Sequence, residues 1–152
     1  MFYFILGFLG SFIDLFFKNK ISNPKEPCKN KYICNKKIRI KFVPNYGLIL
    51  NALDFNSNIA SKLSLCCYII LLIVYIPLII FIRGMHIVKL ILTFIVCGAT
   101  SNSYDRIKKG FVVDYINFPT IKPIKHIFFN IGDFFIFIGS LFLAVWSLIK
   151  WK

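Results

Sequence analysis

Long apolar runs constrain this chain more than any other feature of its sequence. Residues 64–82 read SLCCYIILLIVYIPLIIFI and contain no charged side chain. A helix needs about 20 such residues to cross the hydrocarbon core of a bilayer, and the proline within the run is tolerated in membrane helices. Together with three similar runs, this predicts an integral membrane protein, mainly α-helical. It forms a single membrane domain, residues 1–152, with four spans at about 1–18, 64–83, 86–104 and 127–149.

The composition supports the membrane class. Hydrophobic residues make up 58% of the chain and charged residues 16%, whereas soluble domains have about 45–50% and about 25%. The formal charge of +13 would suggest a nucleic-acid ligand in a soluble protein. No RNA-recognition or helix-turn-helix pattern accompanies it, and anionic headgroups attract basic residues near a membrane surface. We therefore expect membrane lipids as partners and no nucleic acid.

Residues 19–62 form a surface segment between the first two predicted spans. Residues 37–43 alternate strictly between basic and apolar side chains, which predicts a strand with one apolar face. The sequence Asn45-Tyr46-Gly47 follows as a turn signal, and residues 48–62 contain apolar positions suited to the membrane interface. A small β-sheet and an interfacial segment on the membrane surface are predicted here.

The connection between the second and third spans is very short, so these helices must run antiparallel. Four spans then put both termini on one side of the membrane. Both long loops, which contain the surface segment and the residues before the last span, lie on the other side.

Acidic residues are rare, and three of the six lie close to these loops: Asp105, Asp114 and Asp133. Asp114 stands within an apolar stretch, and Asp133 lies near the start of the last span. Because both loop ends face the same side, we expect these two carboxyl groups to converge. Two neighbouring carboxylates do not both ionise easily, so one keeps a proton while the other acts as a base. Such a pair suits acid–base hydrolysis.

Simpler explanations exist for each acid. Asp105 and Arg106 would form a structural ion pair at a helix end, and Asp133 would be a helix-start acid favoured by the macrodipole. Two intramembrane aspartates would also suit a proton pathway. The alternative function is therefore a non-catalytic membrane protein such as a proton-coupled transporter.

The cysteines and histidines have no metal-ligand spacing, so no metal site is expected. Cys28 and Cys34 lie in a polar loop and would form a disulfide if that loop faced an oxidising space.

Five ordered blocks resemble lipoprotein signal peptidase (signal peptidase II), a bacterial family of membrane aspartyl peptidases. Asp14 to Lys18 is similar to its D-x-x-x-K block and Asn45 to Gly47 to its N-x-G block. The stretch with Asn102, Asp105 and Arg106 is similar to G-N-x-x-D-R. Two later blocks, VVDY at residues 112–115 and FNIGD at residues 129–133, are similar to V-V-D-F and F-N-x-A-D. The chain departs from the pattern at several positions. Ala99 and Ser101 stand at glycine positions, Gly132 stands at an alanine position, and Leu48-Ile49-Leu50 replaces a small-small-aromatic run. A non-catalytic, lipoprotein-binding relative of this family is therefore a further alternative.

The resemblance implies that Asp114 and Asp133 are the catalytic pair. It implies a substrate, the signal peptide of a diacylglyceryl-modified prolipoprotein, which is cut just before the lipidated cysteine, and it implies no cofactor. We expect a monomer. The residues that hold and support the site are Asp14, Lys18, Asn45, Gly47, Asn102, Asp105, Arg106 and Asn130.

The resemblance also implies an orientation, with both termini in the cytoplasm and the active site at the outer face of the bacterial inner membrane. The charge distribution indicates the opposite. Ten basic residues lie between Lys18 and Lys62, whereas Arg83 to Lys89 and the C-terminus together contain four. The positive-inside rule would therefore put that loop in the cytoplasm. We follow the resemblance because the site must meet exported substrate.

Overall fold

The computed structural model describes residues 1–23, 30–47 and 57–150. Cys28, and with it the predicted disulfide, lies outside the described residues. The same holds for residues 48–56 of the predicted interfacial segment.

Within the described residues, four helices are long and apolar enough to cross a membrane. Their bounds are α1 Phe2–Ile21, α2 Ser57–Phe81, α3 His86–Lys109 and α4 Ile131–Lys150. The predicted fold class, four membrane helices with a small β-sheet, is confirmed. Two helices begin elsewhere than predicted. Helix α2 starts at Ser57, before the apolar run, because Ala60 is buried and already packs in the bundle. Helix α4 starts at Ile131 because Phe128 and Phe129 form a strand.

Helix α3 is the central helix of the bundle. In its apolar 18-residue stretch 56% of the residues are buried, whereas the corresponding share in each of the other three helices is 17% or less. It packs against all three of them. Its contact with α4 is close because two glycines face each other, Gly98 on α3 and Gly132 on α4. Small residues allow helix backbones to approach in this way within membranes.

The two ends of the bundle differ in their chemistry. At one end, Tyr3 of α1 hydrogen-bonds His86 at the start of α3, and Trp146 of α4 packs in an apolar cluster with Val88. The start of α1 and the end of α4 therefore lie at the end where α2 turns into α3. The opposite end has the sheet and most of the buried polar side chains.

The sheet is antiparallel, with four strands in the order β1-β2-β3-β4. Their bounds are β1 Lys31–Ile33, β2 Ile38–Asn45, β3 Val112–Asn117 and β4 Phe128–Phe129. Strand β2 contains the alternating stretch. Strand β3 is buried along nearly its whole length, because Val113 and Tyr115 pack on one side against Ile21 of α1. This strand brings Asp114 to the end of the helix bundle.

Candidate functional site

Two of the predicted aspartates meet where β3 approaches the start of α4. Asp114 is 3% exposed in the middle of β3, and Asp133 is half-buried in the first turn of α4. Asn130 joins them, because its side-chain amide donates to Asp114 at 2.7 Å and its backbone N–H donates to Asp133 at 3.0 Å. The carboxyl pair is therefore built around one fully buried asparagine.

The same asparagine begins helix α4. Its side-chain oxygen accepts from the backbone N–H of Asp133 at 2.8 Å, while Asp133 accepts from its backbone N–H. This reciprocal arrangement is a capping box, which satisfies two of the free N–H groups at a helix start. The local sequence Asn-Ile-Gly-Asp thus positions the helix end and the carboxyl group together.

Every oxygen of the two carboxyl groups accepts a hydrogen bond. Asp114 accepts from Asn130 and, at 2.8 Å, from the side-chain amide of Asn45. Asp133 accepts from the backbone of Asn130 and, at 2.9 Å, from the side-chain amide of Asn102. The donors come from β2, α3 and the start of α4, so the pair forms only when these elements are packed together.

Burial and a neighbouring charge set the protonation of Asp114. Burial, and after it the charge of Asp133, raise its pKa, and the bonds from Asn45 and Asn130 lower it; the net result is a pKa of about 7. A carboxyl group with such a pKa retains a proton near neutral pH to a large extent. It can therefore serve as a proton donor.

A fully buried ionic cluster lies beneath the pair. Lys18 contacts Asp14 one turn earlier on α1 at 2.8 Å and Asp105 of α3 at 3.6 Å, and all three side chains are 0% exposed. Asp105 also pairs with Lys109 at 2.8 Å and accepts from the backbone N–H of Val113 at 3.0 Å. This last bond attaches strand β3 to helix α3.

Lys18 links the cluster to the carboxyl pair. Its ammonium donates to the side-chain oxygen of Asn102 at 2.6 Å, and the nitrogen of the same amide donates to Asp133. An amide has one oxygen and one NH₂ group, so the lysine fixes which end of Asn102 faces the aspartate.

Arg106 lies beside the pair and has N–H donors that no described residue uses. One of its terminal nitrogens donates to the backbone oxygen of Gly47 at 2.6 Å, and Gly47 in turn donates to Asn45 at 2.9 Å. Its charge interacts with Asp114 and Asp133. Its Nε and Nη1 atoms are buried and have no hydrogen-bond partner among the described residues.

The structure thus brings together all ten residues singled out in the sequence. One expected pairing differs: Asp105 pairs with Lys18 and Lys109 rather than with Arg106, which turns toward Gly47. The spacing of four residues would have identified Lys109.

Sequence reasoning missed two further members, Ser101 and Tyr115. Ser101 lies in the ionic cluster. The hydroxyl of Tyr115 donates to Asp14 at 3.4 Å, and burial raises the pKa of this hydroxyl, so it remains a donor. No spacing pointed to either residue. Across residues 1–23, 30–47 and 57–150, no group of three or more His, Cys, Asp or Glu side chains comes together as for a metal ion.

Comparison with known proteins gives one family. A family model described as signal peptidase (SPase) II matches residues 6–149. Curated relatives called lipoprotein signal peptidase include one from Clostridioides difficile, 40% identical over 67 residues (43% of each chain). Another, from Caldicellulosiruptor bescii, is 42% identical over 75 residues, 49% of this chain and 47% of the relative. A third, from Buchnera aphidicola, is 34% identical over 112 residues, 68% of this chain and 64% of the relative. The matched stretches thus span less than two thirds of each relative's own length.

Solved structures share the fold. Two structures described as a bacterial membrane enzyme superpose on this chain with a TM-score of 0.79 and 20% sequence identity. One comparison covers 97% of this chain and 87% of the other, and the second covers 96% and 92%.

Proposed function

The chain belongs to the signal peptidase (SPase) II family, and from this premise we propose that it is a membrane aspartic endopeptidase. It removes the signal peptide from diacylglyceryl-modified prolipoproteins by cutting before the lipidated cysteine. The observation that carries the proposal is the meeting of Asp114 and Asp133, joined through Asn130, at the sheet end of the bundle. Two carboxyl groups of unequal environment are what general acid–base hydrolysis of a peptide bond needs.

Asp133 is the base in this proposal. It lies in the first turn of helix α4, where the macrodipole favours a carboxylate. It takes a proton from a water molecule as the water oxygen bonds to the scissile carbonyl carbon. Asp114, which retains its proton near neutral pH, gives that proton to the leaving nitrogen as the carbon–nitrogen bond breaks.

Arg106 stabilises the developing negative charge. Its two buried nitrogens without partners among the described residues lie in a side chain that interacts with both aspartates. Buried donors of this kind act strongly on an oxyanion because water does not compete with them. The supporting residues Asn45, Asn102 and the Lys18 cluster hold the carboxyl groups in place.

The position of the site suits a lipidated substrate. The pair lies at one end of four apolar helices, beside a sheet whose first hairpin exposes Tyr32 and Ile33. A bond next to two acyl chains is held at this depth of a bilayer. We propose that the sheet and the interfacial segment cradle the substrate and neighbouring lipid.

The family and the four apolar helices make the chain a multi-pass protein of the bacterial inner membrane. We propose that both termini are cytoplasmic and that the site faces outward, where exported precursors arrive. We also propose that the protein acts as a monomer, because one chain supplies both carboxyl groups and all their described donors.

The test is a gel-shift assay with purified protein and a diacylglyceryl prolipoprotein, alongside Asp114→Asn and Asp133→Asn. We expect the parent to cleave and each variant to lose at least about a hundredfold in rate, the typical contribution of a catalytic acid or base. Thermal unfolding in detergent checks that the variants fold. Intact precursor with folded parent protein would contradict the proposal and favour a transporter or a lipoprotein-binding protein.

A further inference from the structure

One hydroxyl group in the ionic cluster has no counterpart in the motif that the chain resembles. Ser101 of α3 is 0% exposed and lies between Asp14 and Lys18. Its oxygen accepts from the ammonium of Lys18 at 2.8 Å, and its proton is donated to Asp14. The serine therefore connects the two charged partners of α1 to α3.

Lys18 has its three N–H bonds engaged because of this hydroxyl. An ammonium group has three donors and no acceptor. Here Asp14 takes one at 2.8 Å, Ser101 takes one at 2.8 Å and Asn102 takes one at 2.6 Å. With all three directions used, the ammonium is fixed within the cluster.

Without this hydroxyl, the ammonium of Lys18 would be attracted toward a second carboxylate. Asp105 lies 3.6 Å from the same nitrogen, which is beyond an ordinary hydrogen bond but close enough for strong attraction at a buried site. Loss of the Ser101 bond would free one N–H and draw Lys18 toward Asp105. The bond from Lys18 to Asn102 would then weaken.

We infer that Ser101 is a positioning residue for the base Asp133. It acts through Lys18 and Asn102: the hydroxyl fixes the ammonium, the ammonium fixes the amide, and the amide donates to Asp133 at 2.9 Å. The inference rests on the proposed function, since it concerns the geometry of the same carboxyl pair.

Several charged or titratable groups surround this path and remain in place when the hydroxyl is removed. They come from every element packed against it: Asp14 on α1, Asp105, Arg106 and Lys109 on α3, Asp114 and Tyr115 on β3, and Asp133 on α4. The hydroxyl itself is not a nucleophile. It is fully buried and donates to Asp14, and the neighbouring ammonium of Lys18 cannot accept its proton.

The experiment compares Ser101→Ala with the parent in the prolipoprotein assay, measuring kcat, KM and the pH–rate profile. We expect kcat to fall about tenfold, as for one lost hydrogen bond to a charged group, with KM unchanged. A weaker hydrogen bond from Asn102 stabilises the carboxylate of Asp133 less. The acidic limb of the pH–rate profile should therefore move to higher pH by about one unit. Ser101→Cys, whose larger thiol is only a weak donor and acceptor, should show the same changes and serves if the alanine variant folds poorly.

The matched control is Ser103→Ala, which removes another buried hydroxyl two residues along α3, outside the cluster. It should leave kcat and the acidic limb unchanged. If the parent cleaves but Ser101→Ala keeps the parental kcat and acidic limb, the inference is overturned while the proposed function stands. Equal losses at residues 101 and 103 would also overturn it, because they would indicate only a structural role. Failure of the parent to cleave would instead refute the proposed function.

Discussion

At the scale of single residues, the charges near the sheet end of the bundle fall into two groups with different roles. The first is balanced, with two lysines and two aspartates, namely Lys18, Lys109, Asp14 and Asp105. The second has Arg106 beside the carboxyl pair, so it is balanced only when the pair holds one proton. Breaking a buried ion pair by removing one partner typically costs about 3–5 kcal/mol. The first group therefore anchors α1 to α3, and the second keeps a proton available.

The pH dependence of cleavage should report the proton on Asp114. The proton donor is lost as pH rises through its pKa of about 7, so the rate of the parent should fall on the alkaline side of that value. Asn45→Ala removes a hydrogen bond that favours the ionised carboxyl. The pKa of Asp114 should then rise, and the alkaline limb should move to higher pH by about one unit.

Initial cleavage rates across the pH range measure this shift. Asn30→Ala is the control, since Asn30 accepts a hydrogen bond from Arg39 far from the pair. A limb that stays in place or moves to lower pH in Asn45→Ala would contradict the assignment of Asp114 as the acid.

Most residues of the site could be predicted from the sequence, but not all of the partners with which they form hydrogen bonds and ion pairs. Aspartates are rare in this apolar chain, so Asp114 and Asp133 stood out. One of the simpler explanations paired Asp105 with Arg106. This pairing was wrong because adjacent residues on a helix do not face each other. Ser101 was invisible as a site residue, because a serine in a helix has no distinctive spacing.

At the scale of elements, the contact between α3 and α4 sets the position of Asp133. A methyl group added at Gly98 would overlap the backbone carbonyl of Gly132 and lie 2.9 Å from the side chain of Ile136. Backbone cannot move aside as a flexible side chain does, so the two helices would separate just before Asp133. Gly98 therefore helps to position Asp133 within the site.

Gly98→Ala should destabilise the protein by about 1–3 kcal/mol, the usual cost of overpacking, and should lower the cleavage rate of the fraction that folds. Thermal unfolding and the prolipoprotein assay measure both effects. Gly7→Ala is the matched control, because its new methyl group would lie at an ordinary 3.5 Å from Thr93. Equal behaviour of the two variants would show that the close approach of α3 to α4 is not needed.

The elements differ in how far the sequence predicts them. Apolar runs located all four helices, and the alternating stretch located β2. Strands β1 and β4 have three and two residues, too few for any period to appear, so they depend on pairing with their neighbours. The start of α2 was also hidden, because its first turns, including Lys62, are polar and resemble a loop in composition.

At the scale of the whole molecule, the two ends of the bundle face different compartments. The sheet end has the site, and the other end has the start of α1, the end of α4 and the α2–α3 turn. The orientation decides whether the site meets exported precursors, and the basic residues of the surface segment argue against the orientation we propose. An experiment on the intact membrane is therefore needed.

Thiol labelling in spheroplasts provides it. Cys34 is exposed in the turn between β1 and β2, so a variant with the other cysteines replaced by serine should react with a membrane-impermeant maleimide from outside. The opposite probe is Arg83→Cys in the α2–α3 turn of a cysteine-free chain, since Arg83 is exposed. It should react only after permeabilisation. The reverse pattern would refute the outward-facing site.

The capping box at the start of α4 has a consequence for biosynthesis. Residues 130–133 belong to the last of the four helices to leave the ribosome, and they contribute one carboxyl group and the asparagine that joins the pair. Under the proposed function, a nascent chain with only three helices in the membrane lacks these residues and cannot cleave substrate. Under that proposal, activity begins only once the final helix has been inserted.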